Sequence, residues 1–229
     1  MLGVFDSGRG GLGALCELRR ILPNADIAYM ADTAHLPYGS KSAEVLIPLI
    51  DRALLRLRAR GCSRILIACV TASSLYDRLS KASQEIAYPI IPAVAHTAAE
   101  LSLSGRVGIV ATERTIREGA LSRALAHAGV PPISESVGTG LVELVEDDRT
   151  GFHDADALST VWRTLIPHLR ARIDTLVLGC THYPALAPLF RRLLPDSLTL
   201  VCSGEVGARA FADSLSANEQ QGRGLTLFY

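Results

Sequence analysis

Two segments decide the fold: Arg64-Ile65-Leu66-Ile67-Ala68-Cys69-Val70-Thr71-Ala72-Ser73 and Asp174-Thr175-Leu176-Val177-Leu178-Gly179-Cys180-Thr181-His182-Tyr183-Pro184. Each is a short apolar run that ends in a small residue and then Cys, with Thr close by. Such a run reads as a strand buried on both faces, the pattern of a parallel sheet. Open α/β sheets place their sites just past the carboxyl ends of such strands. A thiol there in each half predicts one cleft with a cysteine on each wall.

Outward from these strands, strand and helix patterns alternate. Leu2 to Phe5 reads as a strand, Leu12 to Leu22 as a helix and Ile27 to Met30 as a strand. Ser42 to Arg60 reads as a helix closed by Gly61. Ile65 to Ala68 leads to the first cysteine, and Ala72 to Leu79 begins a helix. The second half repeats the pattern, with a strand from Arg106 to Thr112, a helix from Thr115 to Ala128 and a strand from Thr175 to Leu178. A helix over Leu186 to Leu194 and a last strand over Leu198 to Val201 complete it. The class is α/β, with two pseudo-symmetric lobes, each a mainly parallel sheet flanked by helices. Gly3-Val4-Phe5-Asp6-Ser7 opens the first lobe as Gly108-Ile109-Val110-Ala111-Thr112 opens the second. The expected division gives 1–93 and 205–229 to the first lobe and 94–204 to the second. The chain would cross at Tyr88-Pro89-Ile90-Ile91-Pro92-Ala93, stiffened by proline, and 217–224 reads as polar loop.

Hydrophobic residues make up 48% of the 229 positions, enough for a packed core, and aromatics only 5%, so aliphatic side chains must fill it. Lys plus Arg equals Asp plus Glu at 23 each, which gives no electrostatic case for a nucleic-acid partner. No apolar run reaches the roughly 18–20 residues of a membrane span. The start lacks the basic region and cleavage site of a signal peptide. Five scattered cysteines do not form a disulfide framework, so a reducing cytoplasm is the expected compartment.

The loop Asp6-Ser7-Gly8-Arg9-Gly10-Gly11-Leu12-Gly13 carries G-x-G-x-x-G spacing at Gly8, Gly10 and Gly13. Asp32 follows about 20 residues on, as in dinucleotide-binding folds. That motif alone is weak, and Asp6 would set a carboxylate beside the pyrophosphate. A tight turn whose free N–H groups receive a small carboxylate fits better. The loop Asp32-Thr33-Ala34-His35-Leu36-Pro37-Tyr38-Gly39 reads alone as a surface turn. Cys69 and Cys180 stand among Thr71, Ser73, Thr181 and His182, polar groups crowded at strand ends. A thiol near a histidine or a helix start is expected to have a lowered pKa and to act as a base. Two such thiols facing each other can take a proton from one face of a carbon and return it to the other. Cys16, Cys62 and Cys202 read as structural, as do His35, His96, His127, His153 and His168. No metal-ligand spacing, P-loop or serine elbow occurs.

With these residues in place, the chain resembles the cofactor-independent glutamate racemases of the aspartate/glutamate racemase superfamily. The matching segments are Gly3-Val4-Phe5-Asp6-Ser7-Gly8-x-Gly10-Gly11-Leu12, Asp32-Thr33-Ala34-x-x-Pro37-Tyr38-Gly39-x-Lys41, Ala68-Cys69-x-Thr71-Ala72-Ser73, Leu141-Val142-x-Leu144-Val145-Glu146 and Leu178-Gly179-Cys180-Thr181-His182-Tyr183-Pro184. The resemblance implies a site between two lobes, no cofactor, an amino-acid substrate, often a homodimer, and a product, D-glutamate, used for peptidoglycan. It casts Cys69 and Cys180 as the acid/base thiols, with Asp6 beside the first and His182 beside the second. It casts Asp32 and Glu146 as assisting acids. Ser7, Tyr38, Gly39, Thr71, Thr181, Thr112 and Thr115 match substrate contacts.

One departure stands out. Val70 occupies the place where the family has Asn, and a valine side chain makes no hydrogen bond. Losing a bond to a charged group costs on the order of 1.5–3 kcal/mol. That leaves open another small acid such as aspartate as substrate, or a weakly active or inactive amino-acid-binding role. A thiol–disulfide enzyme fits less well, because redox pairs usually lie close in sequence. Arg9 adds a charge near the cleft. The lack of an N-terminal extension argues against the precursor-activated regulation of some longer relatives.

Overall fold

The computed structural model describes residues 1–148 and 155–229, so His153 lies outside the described residues. In chain order the elements of the first half are β1 (Leu2–Asp6), α1 (Leu12–Ile21), β2 (Ile27–Ala31), α2 (Ala43–Ala59), β3 (Arg64–Ile67), α3 (Val70–Ser73), α4 (Lys81–Gln84), β4 (Ala87–Pro89) and α5 (Ile91–Leu101). They continue with β5 (Val107–Ala111), α6 (Glu113–Glu118), α7 (Ala120–His127), β6 (Ser134–Val137), α8 (Leu141–Glu146), α9 (Ala155–Ala171), β7 (Thr175–Gly179), α10 (Ala187–Leu193), β8 (Thr199–Cys202), α11 (Ser203–Asp213) and β9 (Thr226–Phe228).

The strands form two sheets. One runs β4-β3-β1-β2-β9 and the other β6-β5-β7-β8. Every pairing is parallel. Reading β5 as β1, β6 as β2, β7 as β3 and β8 as β4 turns the second order into the first, apart from β9. The two lobes therefore share one topology, and the cysteines follow corresponding strands, β3 and β7.

Burial follows the sequence pattern. Every residue of β1, β5 and β7 is buried, as strands covered on both faces must be. One apolar cluster, on β1, α1, α5, β5, α7 and α11, joins the inner faces of both sheets. A second lies under α2 on the outer face of the first sheet, and a third under α9 and α10 on the outer face of the second. In α2, Leu46, Ile50, Ala53, Leu54 and Leu57 fall on one helical face and are all buried. The lobes are thus fused through a common core, and the cleft opens above it at the carboxyl ends of the strands.

Several expectations change. The helix expected from Thr115 to Ala128 is two helices, because Gly119 adopts φ +63°, a left-handed conformation that ends α6. The helix expected over Ala72 to Leu79 is one turn, α3, starting directly after Cys69, followed by a 3-10 turn at Tyr76–Arg78. The proline-rich crossing is the edge strand β4 and the first turn of α5, places where a missing N–H is harmless. Leu198 to Val201 is not the last strand. β9 follows it and pairs with β2, Ile27 opposite Thr226.

Candidate active site

β1 and β3 run side by side, with Phe5 opposite Ile67, so Asp6-Ser7 and Cys69 emerge together. β5 and β7 do the same with Ala111 opposite Gly179, which brings Thr112 beside Cys180. The four strand ends surround a cavity of about 160 Å³ lined by Ser7, Cys69, Thr71, Thr112, Cys180, Thr181 and His182. Tyr38 and Gly39 close one side, and Gly138, Thr139 and Glu143 the other. No lysine or arginine lines it among the described residues. Negative groups on a ligand would therefore meet hydroxyls and backbone N–H donors.

The first loop packs more tightly than its glycines alone suggest. Gly8 N–H donates to Asp6 Oδ1 at 2.9 Å, and the Gly11 N–H also points at that carboxylate. Two N–H groups of the turn expected to receive a ligand carboxylate, those of Gly8 and Gly11, instead hold the chain's own Asp6. Asp6 is fully buried, and burial raises its pKa against the opposing effect of His182 and its hydrogen-bond donors. Gly10 lets the other lobe approach: a Cβ there would lie 2.6 Å from both Thr181 Oγ1 and His182 Nδ1.

The thiols depart from expectation. Burial pushes Cys69 up to about 11, helped by the charge of Asp6. The Ser7 hydroxyl, 3.5 Å from the sulfur, and the N–H groups of Ala72 and Ser7 oppose that rise. Cys180 is also pushed up by burial, against donation from the N–H groups of His182 and Tyr183. Desolvation of a charged thiolate outweighs these donors, so burial biases both thiols toward the neutral form.

The other expected residues divide by depth. Thr71 Oγ1 lies 2.9 Å from Thr112 Oγ1 and 3.2 Å from Thr115 Oγ1, a hydroxyl cluster bridging the lobes. Thr115 is buried behind Thr112 and does not line the cavity. Tyr38 donates to Asp32 Oδ2 at 2.6 Å, and Asp32 also meets His35 Nδ1 at 2.6 Å. Asp32 thus stands behind Tyr38, away from the cavity wall. On the other side His182 Nδ1 lies 3.7 Å from Cys180 Sγ, and His182 Nε2 lies 2.7 Å from Glu146 Oε1. Asp6 and Glu146 likewise back the wall rather than form it. The sequence reading missed Thr139 and Glu143. Thr139 lies in the turn after β6, a strand with no apolar run to announce it, and Glu143 lies in the first turn of α8, both at the same carboxyl edge as the cysteines.

Among the described residues no group of three His, Cys, Asp or Glu stands ready for a metal ion. No helix there is long and apolar enough to cross a membrane.

Residues 24–211 match the family described as Asp/Glu/Hydantoin racemase. A glutamate racemase of Deinococcus radiodurans is 41% identical over 222 residues, covering 94% of this chain and 74% of the relative. One from Ralstonia nicotianae is 38% identical over 231 residues, covering 97% and 80%. The structure of glutamate racemase from Francisella tularensis in complex with D-glutamate superposes with a TM-score of 0.90 at 26% identity, over 100% of this chain and 86% of that one. With paired cysteines on corresponding strands, this chain belongs to the Asp/Glu/hydantoin racemase family.

Proposed function

We propose that the protein interconverts L- and D-glutamate by two-base proton transfer between Cys69 and Cys180, without a cofactor. The observation that carries this reading is the pair of buried thiols, one from each lobe, on a single small cavity. One cysteine, as thiolate, takes the α-proton. The other, as thiol, delivers a proton to the opposite face of the carbanion. The enzyme then holds the reverse pattern of thiol and thiolate, ready for the other enantiomer. Cys69 would act on the D-substrate and Cys180 on the L-substrate.

The raised thiol pKa values fit this chemistry once substrate is present. A substrate ammonium entering beside Asp6 and the sulfurs favours the thiolate, because a nearby cation lowers a thiol's pKa. The same ammonium offsets the Asp6 charge that opposes ionisation of Cys69. The hydroxyls of Ser7, Thr71 and Thr112 supply donors for the two carboxylates, with Thr115 behind them, while Tyr38 and Thr181, whose protons go to Asp32 and Asp6, shape the wall. Such preorganised donors stabilise the developing carbanion without reorganisation. Asp32 and Glu146 act through Tyr38 and His182. The proposal extends to a cytoplasmic enzyme, a homodimer in solution, and D-glutamate supplied for peptidoglycan.

The test is proton NMR of L- and D-glutamate in heavy water with purified protein and no added cofactor. Loss of the α-proton signal from both enantiomers is the expected result. Exchange with aspartate and not glutamate would move the assignment to another acid, in line with Val70. Silence with both would overturn the racemase reading.

A further inference from the structure

Beyond the thiols and their immediate neighbours, one residue of the opposite lobe reaches the same machinery. We infer that Arg9 is a positioning residue that fixes Glu146, and through it the ring of His182, against Cys180. The inference rests on the two-thiol reading for its kinetic consequence, though not for its geometry.

Arg9 belongs to the turn between β1 and α1, in the first lobe. Its Nε donates to Glu146 Oε2 at 3.1 Å. One terminal nitrogen donates to the Glu146 carbonyl at 2.6 Å and to the Val145 carbonyl at 3.3 Å. The guanidinium thus holds both the side chain and the main chain of Glu146. Those carbonyls are the open C-terminal end of α8, where a cation is favourable. The second Glu146 oxygen takes His182 Nε2, and the far side of that ring faces Cys180. The order Arg9, Glu146, His182, Cys180 is an unbroken chain from solvent to the buried sulfur.

An exposed ion pair alone would carry little weight, and the Arg9 side chain is 48% exposed. This one differs in two respects. Glu146 is only 26% exposed and His182 only 2%, so the pair runs inward rather than across the surface. The planar guanidinium also ties the carboxylate to the end of its own helix, with Nε on Oε2 and a terminal nitrogen on the main-chain carbonyls, a span that a single ammonium does not bridge. With Oε2 held, Oε1 is left to accept from His182 Nε2, and that bond leaves Nδ1 as the nitrogen facing the thiol. The contact also spans the lobes, so it keeps the His182 wall in register with the Cys69 wall.

The test compares wild type with Arg9→Leu, Arg9→Lys, Glu146→Gln and the Arg9→Leu/Glu146→Gln pair. The first readout is the ring of His182 in protein labelled with ¹⁵N-histidine, which needs no turnover. The expected result is a clear shift or broadening of the His182 Nε2–H signal in Arg9→Leu, with Arg9→Lys intermediate. The second is glutamate racemisation. Arg9→Leu should lower kcat about tenfold, the loss carried by one charge-assisted hydrogen bond, while KM stays nearly unchanged because Arg9 does not line the cavity. The paired variant should be no slower than Glu146→Gln alone, since both changes break one chain. An unchanged His182 signal in Arg9→Leu, or losses that multiply in the pair, would overturn the inference. A wild-type enzyme that fails to exchange glutamate would sink the two-thiol reading instead, and the His182 signal would still decide the place of Arg9.

Discussion

Thr181 Oγ1 donates to Asp6 Oδ2 at 2.9 Å, a hydrogen bond between the two lobes at the floor of the cleft. Both residues are buried, so the bond connects the walls that carry the two thiols. Thr181→Val keeps the shape and removes the donor. A buried hydrogen bond to a charged group is worth about 1.5–3 kcal/mol. Urea unfolding should show a stability loss of about 2 kcal/mol on that basis, and racemisation should fall together with it. Full stability in the variant would mean that Asp6 finds another donor.

Cys69→Ser and Cys180→Ser separate the two proton transfers. Serine is too weak an acid to replace a thiolate base. In heavy water, Cys69→Ser should lose α-proton exchange from D-glutamate more than from L-glutamate, and Cys180→Ser the reverse. Neither should racemise at a useful rate. Exchange of both enantiomers at the wild-type rate in either variant would contradict the assignment of one thiol to each face.

Val70 lines the cavity and also belongs to the apolar cluster shared by the lobes. Val70→Asn therefore has two effects of opposite sign. A hydrogen bond to a charged substrate should raise kcat/KM for glutamate by roughly tenfold. An amide placed in an apolar cluster should lower stability by about 1 kcal/mol. Steady-state kinetics and urea titration read the two effects separately. A fall in kcat/KM would mean that the pocket is built for an acid that makes no use of an amide.

His168, on α9, is fully buried between the hydroxyls of Ser134 and Ser136, each 2.7 Å from a ring nitrogen. Burial lowers its pKa from 6.5 to about 4. The unfolded chain therefore binds a proton in that window and the folded one does not, so stability falls as pH drops from about 6.5 toward 4. The full contribution is on the order of 3 kcal/mol. Urea midpoints across this range should decline more steeply for wild type than for His168→Gln. Parallel declines would assign the acid sensitivity to the carboxylates.

The strands bearing the cysteines were legible because burial on both faces writes an unbroken apolar run. α9 was not read: its buried face includes Thr164 and His168, and Pro167 interrupts it. β6, Ser134-Glu135-Ser136-Val137, is an edge strand of half-buried and exposed positions, so no apolar run announces it. With no sign of that strand, Thr139 in the turn after it had nothing to place it at the cleft. In the first loop the glycine spacing was visible, but not that Asp6 would fill the turn, since that depends on how the strand ends. The thiol environment was misjudged for a related reason. Neighbouring polar groups can be counted in sequence, whereas the depth of water exclusion cannot. Arg9 was noted as a charge, and its partner Glu146 lies too far along the chain for any spacing rule to connect them.

β9 gives the first sheet an assembly order. β1 to β4 leave the ribosome early, yet the strand that flanks β2 is made only after the whole second lobe. The elements from β5 to β8 form an uninterrupted stretch, so that sheet completes its strand pairings as it is made. The first sheet must instead keep the outer edge of β2 open throughout synthesis and close it by a pairing of very long sequence separation, a slow kind of contact. An unpaired strand edge is also where neighbouring chains stick to one another. Nascent first lobes are thus the stage most exposed to aggregation, and β9, made after the whole second lobe, is the strand that ends it.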